Sequence, residues 1–401
     1  MAAVTLSEVA RAAGVSPATA SRVLNGSSRT PGADIADRVR AAADALGYIA
    51  NAQAQALARS SSGLLGLIVH DIADPYFSSI ARGVQSAARE LGKTLLLICT
   101  EGTPAEERLA VEAFTSRRTD AIVLAGSRSA RPEDADDNAA LLRESERYLA
   151  NGGRLVLVGH DLIDNRPGRG ALRAAGPGGE AGPWDAAGPG GASGPGGATG
   201  PGGATSREEP GEATTATAAG ASPHLVIDIP NENLAFDLAR ALSRQGHTRF
   251  AVVAGPEGLL TSDLRLAGFQ RGLADGGLGP AEVTRAGFNR EGGFKAGLSL
   301  ESAVRGAAPE GSALCIFAVN DRMAMGVVAA LRQQGLEAPA DYSVAGFDDI
   351  NTLEDFFPGL TTVRLPLEDI GRTAAEAALT TAGHEPTAGS VILRESTGKP
   401  A

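Results

Sequence analysis

A chain of 401 residues, 43% of them apolar, is too long for one ordinary core and requires two or three domains. It contains no run of 18 apolar residues, so a membrane-spanning helix is excluded. It also lacks a charged start followed by an apolar stretch and cleavage site, and so reads as cytoplasmic. A net charge of −11 by itself argues against a nucleic-acid binder, but the charge is unevenly placed. Through Ser60 six arginines stand against four acidic residues, a mildly basic tip on an acidic remainder. Cys99 and Cys315 lie far apart in apolar runs. They read as buried core thiols of a reduced compartment, not as a disulfide or a metal pair.

Residues 4–26 read as two helices joined by a tight turn. Thr5 opens the first, and Glu8, three residues on, reaches back as in a capping box. Leu6, Val9 and Ala10 give that helix one buried face. Gly14 ends it and Val15 plugs the turn. Ser16 caps the next helix, and Pro17 takes its first position, where a missing N–H costs nothing. Gly26 stops the second helix. Ala20, Val23 and Leu24 point inward, while Ala18, Ser21, Arg22 and Asn25 point outward. Small outward residues with one arginine fit a DNA major groove. Arg22 suits a bidentate contact to guanine, and Pro17 and Ala18 offer apolar surface for a thymine methyl. A plain helical hairpin has the same pattern of burial, and Arg22 equally suits a phosphate. A third helix follows over 33–46.

Residues 51–60 are an Ala/Gln stretch with Asn51 as its N-cap, too short for a stable helix alone. From 63 to 160 strands and helices alternate, which means a parallel sheet covered by helices. The strands are placed at 63–72 (GLLGLIVHDI), 93–99, 120–124 and 154–158, and the helices at 77–91, 104–118 and 136–150. The loop after the first strand carries Asp74-Pro-Tyr-Phe77. Loops at the carboxyl ends of parallel strands are where ligands bind.

Residues 166–222 are of different composition. Glycine recurs every third position from Gly176 to Gly203, broken at Asp185, and Leu172 and Trp184 are the only large apolar residues. A run so short and interrupted does not make a collagen helix. It reads as a disordered Gly/Pro/Ala-rich surface insertion. A second β/α unit is placed from HLVIDI at 224–229. Its helices fall at 231–245, around Arg265-Leu-Ala-Gly-Phe269, and at 321–334. Its strands fall at 249–254, 282–288, 313–319 and 343–348. The segments GPEGLL, VNDRMAMG, SVAGFDD and LTTVR follow one another through this half.

VTLSEVARAAGVSPATASRVLNG resembles, almost position by position, the DNA-binding headpiece of the lactose-repressor (LacI/GalR) family of bacterial regulators. The later segments are similar to that family's landmarks in both halves of the chain. The resemblance implies an all-α helix-turn-helix headpiece plus a two-lobed α/β core of the periplasmic-binding-protein kind, each lobe a parallel β/α sheet. It divides the chain into a headpiece at 1–50 and a hinge helix or linker at 51–62. A first lobe follows at 63–160 plus about 365–383. A second lobe occupies 161–364 plus about 384–401. It further implies DNA contacts at Thr5, Leu6, Ser16, Pro17, Ala18, Thr19, Ser21, Arg22, Asn25, Asn51 and Gln55, with Leu57 wedged into the minor groove.

For the cleft between the lobes, predicted strand ends offer Tyr76, Phe77, Arg265, Phe288, Asn320, Asp321 and Asp348. Carboxylates accept hydroxyl protons, Asn and Arg donate, and an aromatic ring covers the C–H face of a sugar. The family places effector contacts at Arg265, Phe288 and Asp348, with Thr261 and His160 as further candidates. Asp321 also reads as a helix cap, Phe288 as core, and Tyr76 and Phe77 as cover for a helix start. The expected function is a transcription regulator, a repressor, with partners double-stranded operator DNA, a carbohydrate-class effector and a second copy of itself. No catalytic residue, metal or cofactor is expected. A solute-binding protein of a transport system shares the body but needs no headpiece. An α/β nucleotide enzyme needs a phosphate loop or nucleophile elbow that the sequence lacks. His70-Asp71 reads as incidental.

Overall fold

The tip of the molecule is three short helices, α1 (Leu6–Ala13), α2 (Pro17–Asn25) and α3 (Ala33–Leu46). The structure, a computed structural model, describes residues 4–25, 31–49, 61–164, 224–306, 313–380 and 387–398. Asn51, Gln55, Leu57 and the segment 166–222 lie outside the described residues. The headpiece core consists of Val9, Ala10, Ala13, Ala20, Val23, Ala36, Val39 and Ala43. Side chains this small let three short helices approach closely. Gly14 makes the turn after α1 with φ of 66°, a left-handed conformation that glycine adopts without a Cβ penalty.

The first lobe is a five-stranded parallel sheet in the order β2-β1-β3-β4-β5. Its strands are β1 (Leu64–Val69), β2 (Thr94–Cys99), β3 (Ala121–Gly126), β4 (Arg154–Gly159) and β5 (Leu225–Asp228). Between them run α4 (Pro75–Glu90), α5 (Pro104–Ser116) and α6 (Ala135–Ala150). Along β1, Leu65, Leu67 and Val69 join one core cluster with Ile80 and Val84 of α4. Ile68 joins another with Val111 and Phe114 of α5. That alternation is the strand's period of two, with helices covering both faces.

The second lobe is a four-stranded parallel sheet in the order β7-β6-β8-β9. It comprises β6 (Phe250–Ala254), β7 (Glu282–Arg285), β8 (Cys315–Ala318) and β9 (Ser343–Ala345). Its helices are α7 (Asn231–Arg244), α8 (Leu260–Asp275), α9 (Arg290–Arg305) and α10 (Asp321–Gln333). The chain then passes through β10 (Thr362–Arg364), crosses to α11 (Leu367–Leu379) against the first lobe, and returns as β11 (Ser390–Ile392), antiparallel to β10.

Three expectations change. The strand at 224–229 was placed in the second unit. It is instead the fifth strand of the first sheet, with Val156 opposite Leu225. Alternation shows that a segment is a strand but not which sheet it joins, and the insertion hides that the chain is still in the first lobe. Helix α9 is not among the elements placed from the sequence; REGGFKAG mixes good helix formers with three glycines, which disfavour a helix. Its glycines are packing residues: a Cβ on Gly293 would lie 2.1 Å from the Met323 carbonyl oxygen, and one on Gly326 would lie 2.1 Å from the Arg290 oxygen. The helices α9 and α10 touch backbone to backbone there. Finally, Cys315 is buried but Cys99 is exposed. It ends β2, an edge strand whose sequence is apolar but whose outer face is uncovered among the described residues.

Candidate functional site

Two sites emerge. The first is the outer face of α1 and α2. Glu8 folds back on the helix start: its Oε2 accepts from the Thr5 N–H at 2.7 Å and from the Thr5 hydroxyl at 2.9 Å. These bonds hold the Glu8 carboxyl below its ordinary pKa. Ser16 Oγ accepts from the Thr19 N–H at 3.1 Å, capping α2. Ser16, Pro17, Ala18 and Arg22 are exposed, while Leu6, Thr19, Ser21 and Asn25 are half-buried. Asn25 donates to Ser21 Oγ at 2.9 Å. Arg22 makes no hydrogen bond or ion pair among the described residues, leaving its five donors available.

The second site is the cleft between the lobes, with about 550 Å³ of empty volume, part of it open to solvent. Tyr76, Phe77, Thr261, Arg265, Phe288, Asn320 and Asp348 line it. Arg265 is its most constrained member. It donates through Nε to Asn231 Oδ1 and through Nη1 to the Val319 carbonyl, both at 2.8 Å. Its Nη2 lies 2.8 Å from Asp348 Oδ1. The guanidinium carbon sits 3.8 Å from the Phe347 ring centroid, a cation–π contact. Asp348 has φ of 115°, a strained conformation of the kind that clusters at functional sites. Burial pushes its carboxyl up to about 6, against the opposing pull of Arg265. Burial also raises the Tyr76 phenol, with Asp348 adding to it, so that hydroxyl stays protonated and can donate. Asn320 caps α10 by accepting the Met323 N–H at 2.7 Å, which fixes its side chain at the strand end.

The structure places His160 and Asp321 behind the lining. His160 Nε2 lies 2.8 Å from Thr261 Oγ1, a bond between the lobes. Burial, with Arg128 and Arg265 nearby, pushes its pKa down to about 4. Asp321 is fully buried and accepts from the Thr362 hydroxyl at 2.6 Å and the Ile350 N–H at 3.0 Å. It therefore positions the turn that carries Asp348. Burial and the Asp348 charge hold its carboxyl well above the carboxylate range. As the first residue of α10 it turns toward β10, whereas its neighbour Asn320 faces the cleft.

Several lining residues escaped the sequence reading, among them His70, Ser127, Asn231 and Arg322, and Asp74 was noted only as part of its loop. His70 was set aside, yet its Nε2 lies 3.4 Å from the buried Glu107, which in turn pairs with the buried Arg128 at 2.6 Å. Arg322 Nη1 lies 3.1 Å from Asp74 Oδ2, linking α10 of one lobe to the helix-capping aspartate of the other. A usable signal did exist: each of His70, Asp74, Ser127 and Arg322 follows the carboxyl end of a strand within a few residues. Among the described residues no group of three or more His, Cys, Asp or Glu is placed to hold a metal ion.

A helix-turn-helix tip joined to a two-lobed body with a polar cleft defines the class of ligand-responsive DNA-binding regulators. Comparison with known proteins agrees. Residues 5–51 match bacterial regulatory proteins of the lacI family. Residues 62–139 match the periplasmic binding proteins and sugar binding domain of that family. Residues 239–399 match a periplasmic binding protein-like domain. The transcriptional regulator GalR of Escherichia coli (strain K12) is 28% identical over 386 residues, covering 95% of this chain and 90% of GalR. The repressor CytR of the same strain is 27% identical, over 93% and 88% of the two chains. In fold, the chain is similar to the Lac repressor dimer bound to operator and the anti-inducer ONPF. The TM-score there is 0.71 and the identity 22%, with 99% and 100% covered. A CelR–cellobiose complex gives a TM-score of 0.57 at 23% identity, with 98% and 99% covered. The chain belongs to the lacI family of bacterial regulatory proteins and is a DNA-binding transcription regulator controlled by a small-molecule effector.

Proposed function

We propose that this regulator represses transcription as a cytoplasmic homodimer, and that an uncharged carbohydrate-class molecule in its cleft sets its affinity for operator DNA. The observation that carries the reading is the pairing, in one chain, of an exposed Arg22, unpartnered among the described residues, with a cleft walled by both lobes. Two recognition helices related by a dimer axis would enter successive major grooves of a near-palindromic site. Arg22 reads a guanine there; Ser16, Thr19, Ser21 and Asn25 hold phosphates; Leu57 opens the minor groove at the centre. In the cleft, Asp348 accepts sugar hydroxyl protons while Asn320 and Tyr76 donate, and Phe288 packs on the ring face. The two lining arginines face carboxylates already, Arg265 with Asp348 and Arg322 with Asp74. That leaves neither spare for an anionic ligand, which favours a neutral one. Ligand and DNA are then coupled reciprocally through the lobe angle.

Relatives support this reading: the GalR and CytR proteins are transcription regulators, and the related CelR structure holds cellobiose. The test is gel-shift titration on a duplex selected from a randomised library. Arg22→Ala is expected to weaken binding about tenfold or more, the worth of a bidentate arginine–guanine pair. Leu57→Ala is expected to weaken it too. Wild-type affinity in both variants refutes the contact roles. A thermal-shift panel of neutral sugars, sugar phosphates and nucleotides tests the cleft; stabilisation only by the phosphorylated set refutes the neutral class.

A further inference from the structure

We infer that Asp120 is a positioning residue that fixes the point at which the chain from the headpiece enters the body, so that lobe movements reach the DNA-binding tip. This rests on the DNA-binding reading above. Asp120 immediately precedes β3, and its carboxylate receives five donors. Ser61 Oγ donates at 2.7 Å, the Ser62 N–H at 2.7 Å, the Ser62 hydroxyl at 3.0 Å, the Gly63 N–H at 3.0 Å and Lys93 Nζ at 2.8 Å. A carboxylate offers about four lone-pair sites, so this one is saturated. Four of the donors lie 57–59 residues earlier in the chain, where the hinge or linker segment at 51–62 runs into the first lobe. A turn-stabilising aspartate bonds its own neighbours. This one instead clamps an incoming segment. Lys93 completes the clamp by also donating to Ser61 Oγ at 3.3 Å.

The far ends of the same strands belong to the cleft. Gly126, which ends β3, and Ser127 line it. Ser127 Oγ also accepts the Thr261 N–H of the second lobe at 3.1 Å, and the next carbonyl, Arg128, accepts the Leu260 N–H at 3.0 Å. Strand β1, which leaves the clamp at Leu64, ends next to His70 in the cleft lining. A six-residue strand spans about 20 Å. Strand β3 therefore carries the lobe contact at one end and the headpiece tether at the other, with six buried residues between. Slack at the clamp would not alter a single headpiece on a single half-site. It would lower the effective concentration of the second headpiece at the second half-site.

That difference is the test, made on the full-length chain with a two-half-site duplex enriched by the wild type and the same duplex with one half-site scrambled. Asp120→Asn is expected to weaken binding to the intact duplex about tenfold. Binding to the scrambled duplex should stay within twofold of wild type. The double variant Ser61→Ala/Ser62→Ala should reproduce the loss, and combining it with Asp120→Asn should add little, since both open the same clamp. Equal losses on both duplexes, tracking a fall in melting temperature, overturn the inference in favour of a merely structural role. Wild-type affinity of Asp120→Asn on the intact duplex overturns it alone. A wild-type chain that enriches no duplex overturns the DNA-binding reading and this inference with it.

Discussion

On the second-lobe wall of the cleft Arg265 is locked into buried bonds within its own lobe, whereas on the first-lobe wall Asp74 stands at a helix start and reaches out to the other lobe. Arg265 uses its donors on Asn231, Val319 and Asp348, and lies 1% exposed. Asp74 caps α4 through the Tyr76 N–H and reaches across the cleft to Arg322, which is 31% exposed in its side chain. The contrast separates a preorganised half, which recognises a ligand without rearranging, from a half that can move toward it. Among the described residues the joint between them is weaker: the partly exposed Arg322 facing Asp74 and Asp71, the His160–Thr261 and Ser127–Thr261 bonds, and a few backbone contacts at Arg128–Ala130.

The sharpest way to break this contrast is Arg265→Ala. It strands a buried carboxylate and two buried acceptors, so unfolding in denaturant is expected to show a loss of about 3–5 kcal/mol. A loss under 1 kcal/mol would mean that the second wall is no more locked than the first. The next effect concerns protons. With the Asp348 carboxyl pushed up to about 6, its ionised fraction rises roughly tenfold between pH 5 and pH 7. If the ionised form accepts sugar hydroxyls, affinity for the sugar that most raises the melting temperature climbs about tenfold over that range and then levels. Titration calorimetry at several pH values reads this, and Asp348→Asn should flatten it.

Stability responds in the opposite sense at this residue. The folded chain keeps a proton that the unfolded chain has released, so the contribution of Asp348 falls as pH rises from about 4 to 6. His160, pushed down to about 4, does the reverse: the unfolded chain gains the proton first, so its contribution is lost as pH falls from 6.5 toward 4. Melts of His160→Gln against wild type should show that acid-side slope reduced. The smallest effect is at the joint. Arg322→Gln removes a partly exposed pair, so the stability change should stay below about 1 kcal/mol. Ligand-free small-angle scattering should nonetheless show a more open body. An unchanged profile would show that the pair does not hold the lobes together.

The headpiece was legible because its determinants are local. Thr5 with Glu8, Gly14 at the turn, and Ser16 with Thr19 lie within three residues of one another or act alone. The β/α alternation was legible for the same reason, since period and capping are short-range signals. Where local signal and packing disagreed, the reading failed. No element was placed at 290–305, where glycines proved to be the points at which two helices touch, and an apolar edge strand left Cys99 uncovered.

By itself, then, the sequence determined most of the elements, the family and the residue types that end up near the cleft. Tertiary structure decided which sheet takes the strand at Leu225, that Asp348 faces the cleft while Asp321 stands behind it, and that Asp74 meets Arg322 248 residues away. It also decided that Asp120 gathers Ser61, Ser62, Gly63 and Lys93 around one carboxylate. Helix and strand signals arise between residues a few positions apart, whereas a buried charge finds its partner only once distant segments have packed and excluded water. No spacing along the chain records that meeting.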